Sequence, residues 1–158
     1  MRTRSVRSLV YLAGGVGLIV SIFAALEYYE ASLRRLCTIS SFFSCATVDV
    51  SGRTTTLGLP DFLWGVGGFV LILVVAGLAE RWPRDRRYAY ALLGVTTLGV
   101  AFSLYFLYVQ LVEIGALCVV CATADVFGWI AWAGAIALVR APSSSADSDG
   151  SADAKDGG

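Results

Sequence analysis

The chain has 158 residues, of which 57% are apolar and only 15% are charged, with 12 basic and 12 acidic side chains. So much apolar sequence, gathered in runs of membrane-spanning length, excludes an ordinary soluble domain and predicts an integral membrane protein. The length provides for one compact bundle and for no separate soluble domain beside it.

Four apolar stretches follow one another along the chain, and each is predicted to be a transmembrane helix. About 20 helical residues cross a hydrocarbon core roughly 30 Å thick, and each stretch comes close to that length or exceeds it. Their apolar positions run continuously instead of alternating, which disfavours strands. We therefore predict an all-α protein, an integral membrane four-helix bundle over residues 9–140. The expected spans are about residues 9–29, 62–79, 88–112 and 114–139.

Arginine residues indicate how the bundle is oriented in the membrane. Short cytoplasmic loops are enriched in Lys and Arg, and arginines here flank the spans at the N-terminus, between spans two and three, and after span four. We predict cytoplasmic termini, with residues 1–8 as a cytoplasmic N-terminal segment, and an outer loop over residues 30–61. The supporting residues are Arg2, Arg4, Arg7, Arg81, Arg84, Arg86, Arg87 and Arg140, and the dissenting minority is Arg34, Arg35 and Arg53.

The end of the chain differs in composition from the rest. After Pro142 it consists mainly of Ser, Asp, Ala and Gly, with almost no apolar residues. Such a segment cannot bury enough apolar surface to offset the entropy lost on folding. We predict that residues 141–158 form a disordered acidic tail without a catalytic role.

Four cysteines carry the clearest chemical signal. Cys118 and Cys121 form a Cys-x-x-Cys step at the mouth of the fourth span, while Cys37 and Cys45 lie in the outer loop. Two thiols three residues apart on a helix share a face, and a helix N-terminus stabilises a thiolate. All four fall on the predicted extracytoplasmic side, where disulfides form and persist.

The residues alone leave three interpretations of these thiols open. Two static disulfides would describe a non-catalytic membrane scaffold, exchange between the two pairs would describe a redox relay, and four thiolates could bind zinc. Seven residues separate Cys37 from Cys45 and the chain has no His, which disfavours zinc and also haem. We favour the relay, with no metal.

The order of these features resembles the vitamin K epoxide reductase family. The resemblance covers about residues 9–139 and implies a four-helix bundle around a quinone pocket, capped by a partly helical extracytoplasmic loop. It is carried by Cys37, Cys45, Ser51, the Gly58-Leu-Pro60 step, Gly65 and Cys118-Val-Val-Cys121.

The resemblance also implies a role for each thiol. Cys121 is expected nearest the quinone and Cys118 beside it, exchanging disulfides with Cys45, while Cys37 meets a separate thioredoxin-like redox protein. Ser51 is expected to support the loop cysteines. The implied enzyme is a quinone-dependent thiol-disulfide oxidoreductase that generates disulfides outside the cytoplasm, or alternatively a vitamin K epoxide or quinone reductase using the same relay. The quinone would be of the menaquinone, ubiquinone or vitamin K type, with no nucleic acid involved.

Two aspartates stand where animal members of that family differ. Aligned through Gly65, the resemblance places Asp61 where those members have an Asn that contacts the quinone, which makes Asp61 a candidate quinone contact. It places Asp125 where they have a Tyr, four residues after the second active-site cysteine. A carboxyl group in an apolar span is costly and therefore often functional, so Asp125 predicts a proton relay or quinone contact. A protonated Asp125 bonded to a neighbouring helix is the alternative, and Asp61 beside Pro60 is also a candidate helix cap.

Three aromatic residues recur at helical spacing on the third span, namely Phe102, Tyr105 and Tyr108. Bundle packing with one interfacial Tyr is the simpler interpretation. The alternative is that they line a pocket for a flat aromatic ligand, which makes Tyr108 a candidate quinone contact.

Overall fold

A computed structural model describes residues 2–30, 32–33, 38–51, 55–56, 58–83 and 85–141 of the chain. Cys37 lies outside these residues, as does the predicted disordered tail beyond residue 141. Four helices are long and apolar enough to cross a membrane, which confirms the predicted all-α bundle. In chain order the elements are α1 (Arg2–Tyr29), α2 (Cys45–Val50), β1 (Thr55–Thr56), β2 (Leu59–Pro60), α3 (Asp61–Arg81), α4 (Arg86–Tyr108), a π-helical segment (Val109–Ile114) and α5 (Val119–Arg140).

The boundary between the third and fourth spans differs most from the prediction. The third span continues through the π-helical segment, and the fourth begins at Val119 instead of near residue 114. Gly115 ends the π-helical segment with a φ of 71°, a left-handed conformation that glycine adopts without steric cost. The chain is therefore turned away from a helical path just before Cys118.

The four long helices are arranged so that each packs on two neighbours. α1 contacts chiefly α5 and α3, and α4 contacts the same two helices from the other side, while α3 and α5 lie diagonally and barely touch. The core between them is apolar and almost fully excluded from the surface. It includes Val10, Ala13, Phe69, Ile72, Val75, Ala76, Leu92, Ala131 and Ala135.

Glycines set the closest approaches of α1 to its neighbours. A Cβ at Gly17 would overlap the ring of Phe69 on α3, and one at Gly134 of α5 would overlap the side chain of Val10. Small residues at such crossings let transmembrane helices pack backbone to side chain. The close approach is specific to these crossing points, since a Cβ at Gly15 would meet no neighbouring atom within 4 Å.

The two ends of the bundle are distinct in chemistry. α1 begins, α3 ends, α4 begins and α5 ends at one side, so the flanking arginines gather there. Arg86 donates a hydrogen bond of 2.7 Å to the Val139 carbonyl, and Tyr11 donates one of 2.9 Å to Glu80. The thiol-bearing segments lie at the opposite end.

The outer loop between α1 and α3 contains more order than a short helix alone. Residues Thr38 and Ser44 pair as an antiparallel bridge, which α2 follows directly. β1 and β2 then form a small antiparallel pair, with Gly58 at a φ of 78° between them. These strands were not predicted, because two-residue strands leave almost no periodic signal in a sequence.

Candidate functional site

Cys118 is the residue before α5, and its side chain caps the N-terminus of that helix. Its backbone is extended, with φ −81° and ψ 113°, and its Sγ accepts a hydrogen bond of 3.3 Å from the Cys121 backbone N–H. The sequence predicted both thiols on one helical face, whereas the structure places only Cys121 within the helix. Cys118 can therefore contact a thiol from outside α5 while it stays next to Cys121.

Backbone pairing brings the loop to this position. The Leu117 N–H donates to the Phe42 carbonyl at 2.7 Å, and the Ser44 N–H donates to the Leu117 carbonyl at 3.2 Å. Ser44 also starts α2, since its Oγ accepts from the Thr47 N–H at 3.2 Å. The residue after Leu117 is Cys118, and the residue after Ser44 is Cys45. The bridge thus places two cysteines that are distant in sequence side by side.

The thiols of Cys45 and Cys118 are in contact, with their sulfur atoms 3.1 Å apart. Both side chains are buried, Cys45 at 0% and Cys118 at 1% exposure, while Cys121 is partly buried. All three are free thiols in this structure. The apolar side chains of Val48, Ala116, Ile114 and Val120 pack around the cluster, and Cys45 and Cys118 are closed to water. Cys45, Cys118 and Cys121 are called the thiol cluster below.

The environment of the thiol cluster favours protonated sulfur over thiolate. A hydrogen bond with Cys118 raises the pKa of Cys45, and burial and the nearby buried carboxylate of Glu27 raise it further. A side-chain hydrogen bond with Cys121 raises the pKa of Cys118, and burial acts in the same direction. Because the thiolate is the attacking form, proton removal must accompany exchange between these two residues.

Gln110 contributes a contact that the sequence did not point to. Its side chain is 1% exposed, and its Oε1 accepts a hydrogen bond of 2.8 Å from the Cys118 backbone N–H. Gln110 lies in the π-helical segment, and its own carbonyl accepts from Gly115 and Ala116. The signal in the sequence was a single uncharged amide in an apolar span, eight residues before the Cys-x-x-Cys step.

A cavity of about 490 Å³ opens between α3, α4 and α5, close to the thiol cluster. Its wall is mainly apolar, and Trp64 stacks on Phe102 with ring centroids 5.7 Å apart and planes 16° from parallel. Its size and apolar lining are those of sites that hold drug-sized ligands. Residues of the wall include Leu63, Trp64, Gly68, Gly99, Phe102, Ser103, Phe106, Asp125 and Trp129.

Asp125 is the acidic residue in the described part of the cavity wall. A series of hydrogen bonds links its side chain to two other residues. Trp129 donates from Nε1 to Ser103 Oγ at 3.0 Å, and Ser103 in turn forms a hydrogen bond with the Asp125 carboxyl group. Asp125 follows Cys121 by four residues, one helical turn deeper. It also interacts electrostatically with Asp61. A carboxyl group of the cavity wall thus lies one helical turn from Cys121.

The other predicted site residues agree with the predictions to different degrees. Asp61 is the first residue of α3 and is not part of the described cavity wall. The cap position is Pro60, so the alternative of Asp61 as a helix cap is wrong. Ser51 ends α2 and donates to the Val48 carbonyl at 2.7 Å, so it supports the helix that carries Cys45. Tyr108 is 56% exposed and lies apart from the described cavity wall, which Phe102 joins instead.

Four helices long and apolar enough to cross a membrane define a multi-pass membrane protein, and this one holds a thiol cluster near a ligand-sized cavity. Residues 8–136 match the family model described as the vitamin K epoxide reductase family. The match covers most of the chain, and the chain belongs to that family. Its members are membrane oxidoreductases that use a quinone in thiol-disulfide or vitamin K reduction. The resemblance drawn from the cysteine pattern is thereby confirmed.

Proposed function

We propose that this protein is a quinone-dependent thiol-disulfide oxidoreductase that generates disulfides outside the cytoplasm. In this proposal, electrons pass from a thioredoxin-like partner to Cys37 and Cys45, then to Cys118 and Cys121, and finally to a membrane quinone. The contact of 3.1 Å between the Cys45 and Cys118 sulfur atoms carries the proposal, because disulfide exchange requires direct attack of one sulfur on another.

The exchange steps balance without any further oxidant. The Cys45 thiolate attacks Cys118 in a Cys118–Cys121 disulfide, and Cys121 leaves as a thiolate. Cys37 then attacks Cys45 in the mixed disulfide, which releases Cys118 and closes a Cys37–Cys45 disulfide. The partner reduces that bond by two electrons and becomes oxidised. The position of Cys118 beside both Cys45 and Cys121 supports its central place in this sequence.

The cavity supports the quinone end of the proposal. Trp64 and Phe102 offer stacked aromatic faces to a flat ring, and the apolar wall suits a prenylated molecule. A bound quinone supplies an acceptor for two electrons and two protons, which is what closing a dithiol to a disulfide releases. Asp125 would hold a proton beside the ring, with its orientation set by Ser103 and Trp129.

We further propose that the thiol cluster lies on the extracytoplasmic side of the membrane. Both termini then lie on the cytoplasmic side. The arginines at the opposite end of the bundle support this orientation, because basic residues favour the cytoplasmic side. The domain division that follows is residues 1–8, the bundle over 9–140 and the tail over 141–158. In a cysteine-free background, a membrane-impermeant maleimide should label Ile39→Cys in intact cells but not Ser143→Cys. The reverse pattern would overturn the orientation.

The experiment that tests the function is anaerobic mixing of dithiothreitol-reduced protein with a soluble menaquinone analogue, followed by quinone absorbance. We expect rapid quinone loss with the native chain and none with Cys121→Ala. The same samples, analysed for bound zinc and for alkylatable thiols, test the competing interpretations. A folded native protein that reduces no quinone would contradict the proposal and favour fixed disulfides or a thiolate-bound metal.

A related function is vitamin K epoxide or quinone reduction with the same thiols. Each exchange is reversible, so the relative reduction potentials decide the direction. Asp61 and Asp125 replace the polar residues of the animal family members, which favours the quinone-driven oxidase. Supplying vitamin K epoxide in place of the quinone, with the same reduced protein, distinguishes the two reactions.

A further inference from the structure

We propose that Gln110 is a positioning residue that holds Cys118 in the geometry required for exchange with Cys45. This inference rests on the proposed relay and extends it to a residue that has no sulfur and does not line the described part of the cavity. It is drawn from the hydrogen bond of 2.8 Å between Gln110 Oε1 and the Cys118 backbone N–H.

The Cys118 N–H needs a partner that α5 does not provide. The first N–H groups of a helix have no acceptor within that helix, and the cap residue precedes them. Since Cys118 is 1% exposed, water does not readily reach this group either. A buried N–H without an acceptor costs more than an ordinary hydrogen bond contributes, so Gln110 Oε1 stabilises this one arrangement of the backbone.

The hydrogen bond acts together with the loop pairing on the neighbouring residue. Leu117 is held by the backbone of Phe42 and Ser44, which belong to the segment that delivers Cys45. Cys118 is held by Gln110, which belongs to the π-helical end of the third span. Two successive residues are thus attached to two different elements. The sulfur contact with Cys45 depends on both attachments.

The π-helical segment explains how Gln110 reaches this position. A π-helical turn is wider than an α-helical one and displaces the side chains that follow it. Gln110 lies inside that turn, and its carbonyl accepts from the two residues that begin the path towards Cys118. The π-helical segment therefore ends the third span and also places the Gln110 side-chain amide next to the Cys118 backbone N–H.

The test uses the full-length chain with Cys37→Ser and Cys121→Ser, so that only Cys45 and Cys118 can form a disulfide. The protein is equilibrated in mixtures of reduced and oxidised glutathione, quenched in acid, and assayed for the disulfide by alkylation and mass. The ratio of protein disulfide to glutathione disulfide gives the effective concentration of the two thiols. It is compared for Gln110, Gln110→Leu, Gln110→Asn and Gln110→Glu, with Ser21→Ala as a control at another buried polar residue.

We expect Gln110→Leu to lower the effective concentration about tenfold, since the orphaned N–H moves to find another acceptor. The side chain in Gln110→Asn is too short to reach the Cys118 N–H, so this variant should show the same decrease as Gln110→Leu. Gln110→Glu keeps an acceptor oxygen at the native distance and should retain the native effective concentration. Ser21→Ala should not change it. A purely structural role would lower the melting temperature of the variants and leave this equilibrium in the folded protein unmoved.

An unchanged effective concentration in Gln110→Leu overturns the positioning role and leaves the relay intact. If Gln110→Leu does not fold, the pair Gln110→Asn and Gln110→Glu decides, and equal values for those two overturn the role. Failure of the protein with native Gln110 to form any Cys45–Cys118 disulfide overturns the relay and the positioning role together.

Discussion

The thiol cluster and the neighbouring cavity differ in how closely their atoms are packed. In the thiol cluster, Cys45 and Cys118 are buried, in contact, and fixed by backbone pairing and by Gln110. The cavity beside it keeps about 490 Å³ open between three helices, and Asp125 is held at its wall by side chains alone. The contact between Cys45 and Cys118 is closed to solvent, whereas the cavity leaves space for a ligand.

The difference follows from the chemistry that each region serves. Disulfide exchange requires the attacking and leaving sulfur atoms in one line, so a displacement of about an ångström slows the reaction by roughly a hundredfold. Binding a large apolar molecule requires room, a dry wall and few polar groups. Substitutions in the thiol cluster should therefore lower the turnover rate most. Substitutions at the cavity should lower it by smaller factors.

The largest effect is expected from Cys118→Ala. Loss of the central thiol removes the covalent path from Cys45 to Cys121, so steady-state transfer from a thioredoxin-like donor to quinone should fall at least about a thousandfold. Donor oxidation and quinone absorbance measure the rate. Quinone binding, followed by quenching of tryptophan fluorescence, should persist. Substantial residual turnover would show that another thiol bypasses Cys118.

Asp125→Asn should reduce quinone reduction by about a hundredfold, the usual scale for loss of a positioned proton donor. The amide keeps the size of the side chain and its reach to Ser103, but it cannot deliver a proton. Disulfide exchange between Cys45 and Cys118 should be unaffected. Asp85→Asn, at the start of α4 and the other end of the bundle, is the matched control. Equal rates for both variants would exclude Asp125 from proton delivery.

The exchange step should accelerate with pH. In the reduced protein a hydrogen bond with the Cys118 thiol and burial both raise the pKa of Cys45, and burial remains when Cys118 is in a disulfide. The Cys45 thiolate is therefore scarce near neutrality, and its fraction grows about tenfold per pH unit below that pKa. We expect the rate at which Cys45 attacks an oxidised Cys118–Cys121 pair to rise steadily from pH 7 to 9. Stopped flow with rapid acid quench measures it, and a flat profile would contradict protonated resting thiols.

The smallest effect concerns the bundle that supports both regions. Gly17→Ala places a Cβ against Phe69 and should destabilise the fold by about 1–3 kcal/mol, as overpacking does. A shift of several degrees in melting temperature follows, at roughly 2–4 °C per kcal/mol for a chain of this size. Gly15→Ala, with open space at its Cβ position, should not lower it. Equal melting temperatures would mean that Phe69 moves aside at little cost.

Much of the bundle could be predicted from the chain because its signals are local. Continuous apolar runs predicted four spans, and the second agrees closely with Asp61–Arg81. The start of the fourth span was wrong by several residues, since apolar residues continue through Gly115 and Leu117 although the backbone leaves the helix there. Hydropathy reports the environment of a residue and carries no information on its backbone angles.

The site was predicted less completely. The cysteine pattern and its resemblance to a family pointed to Cys45 and Cys118 as exchange partners, and the structure places their sulfur atoms in contact. Gln110 and Ser103 were missed, because each acts through a hydrogen bond to an element distant in sequence. The alternative that Asp61 caps its helix was wrong, since Pro60 takes that position.

By itself, the sequence determined the class of this protein: four apolar helices, the family, and the residues capable of thiol chemistry. Composition and spacing suffice for this because membrane insertion and cysteine reactivity are properties of residue types in short segments. Only the tertiary structure decided how the backbone brings Cys45 against Cys118, where the cavity opens, and that Gln110 bonds to Cys118. Those outcomes depend on backbone turns at single residues and on contacts across the bundle, which no local pattern specifies.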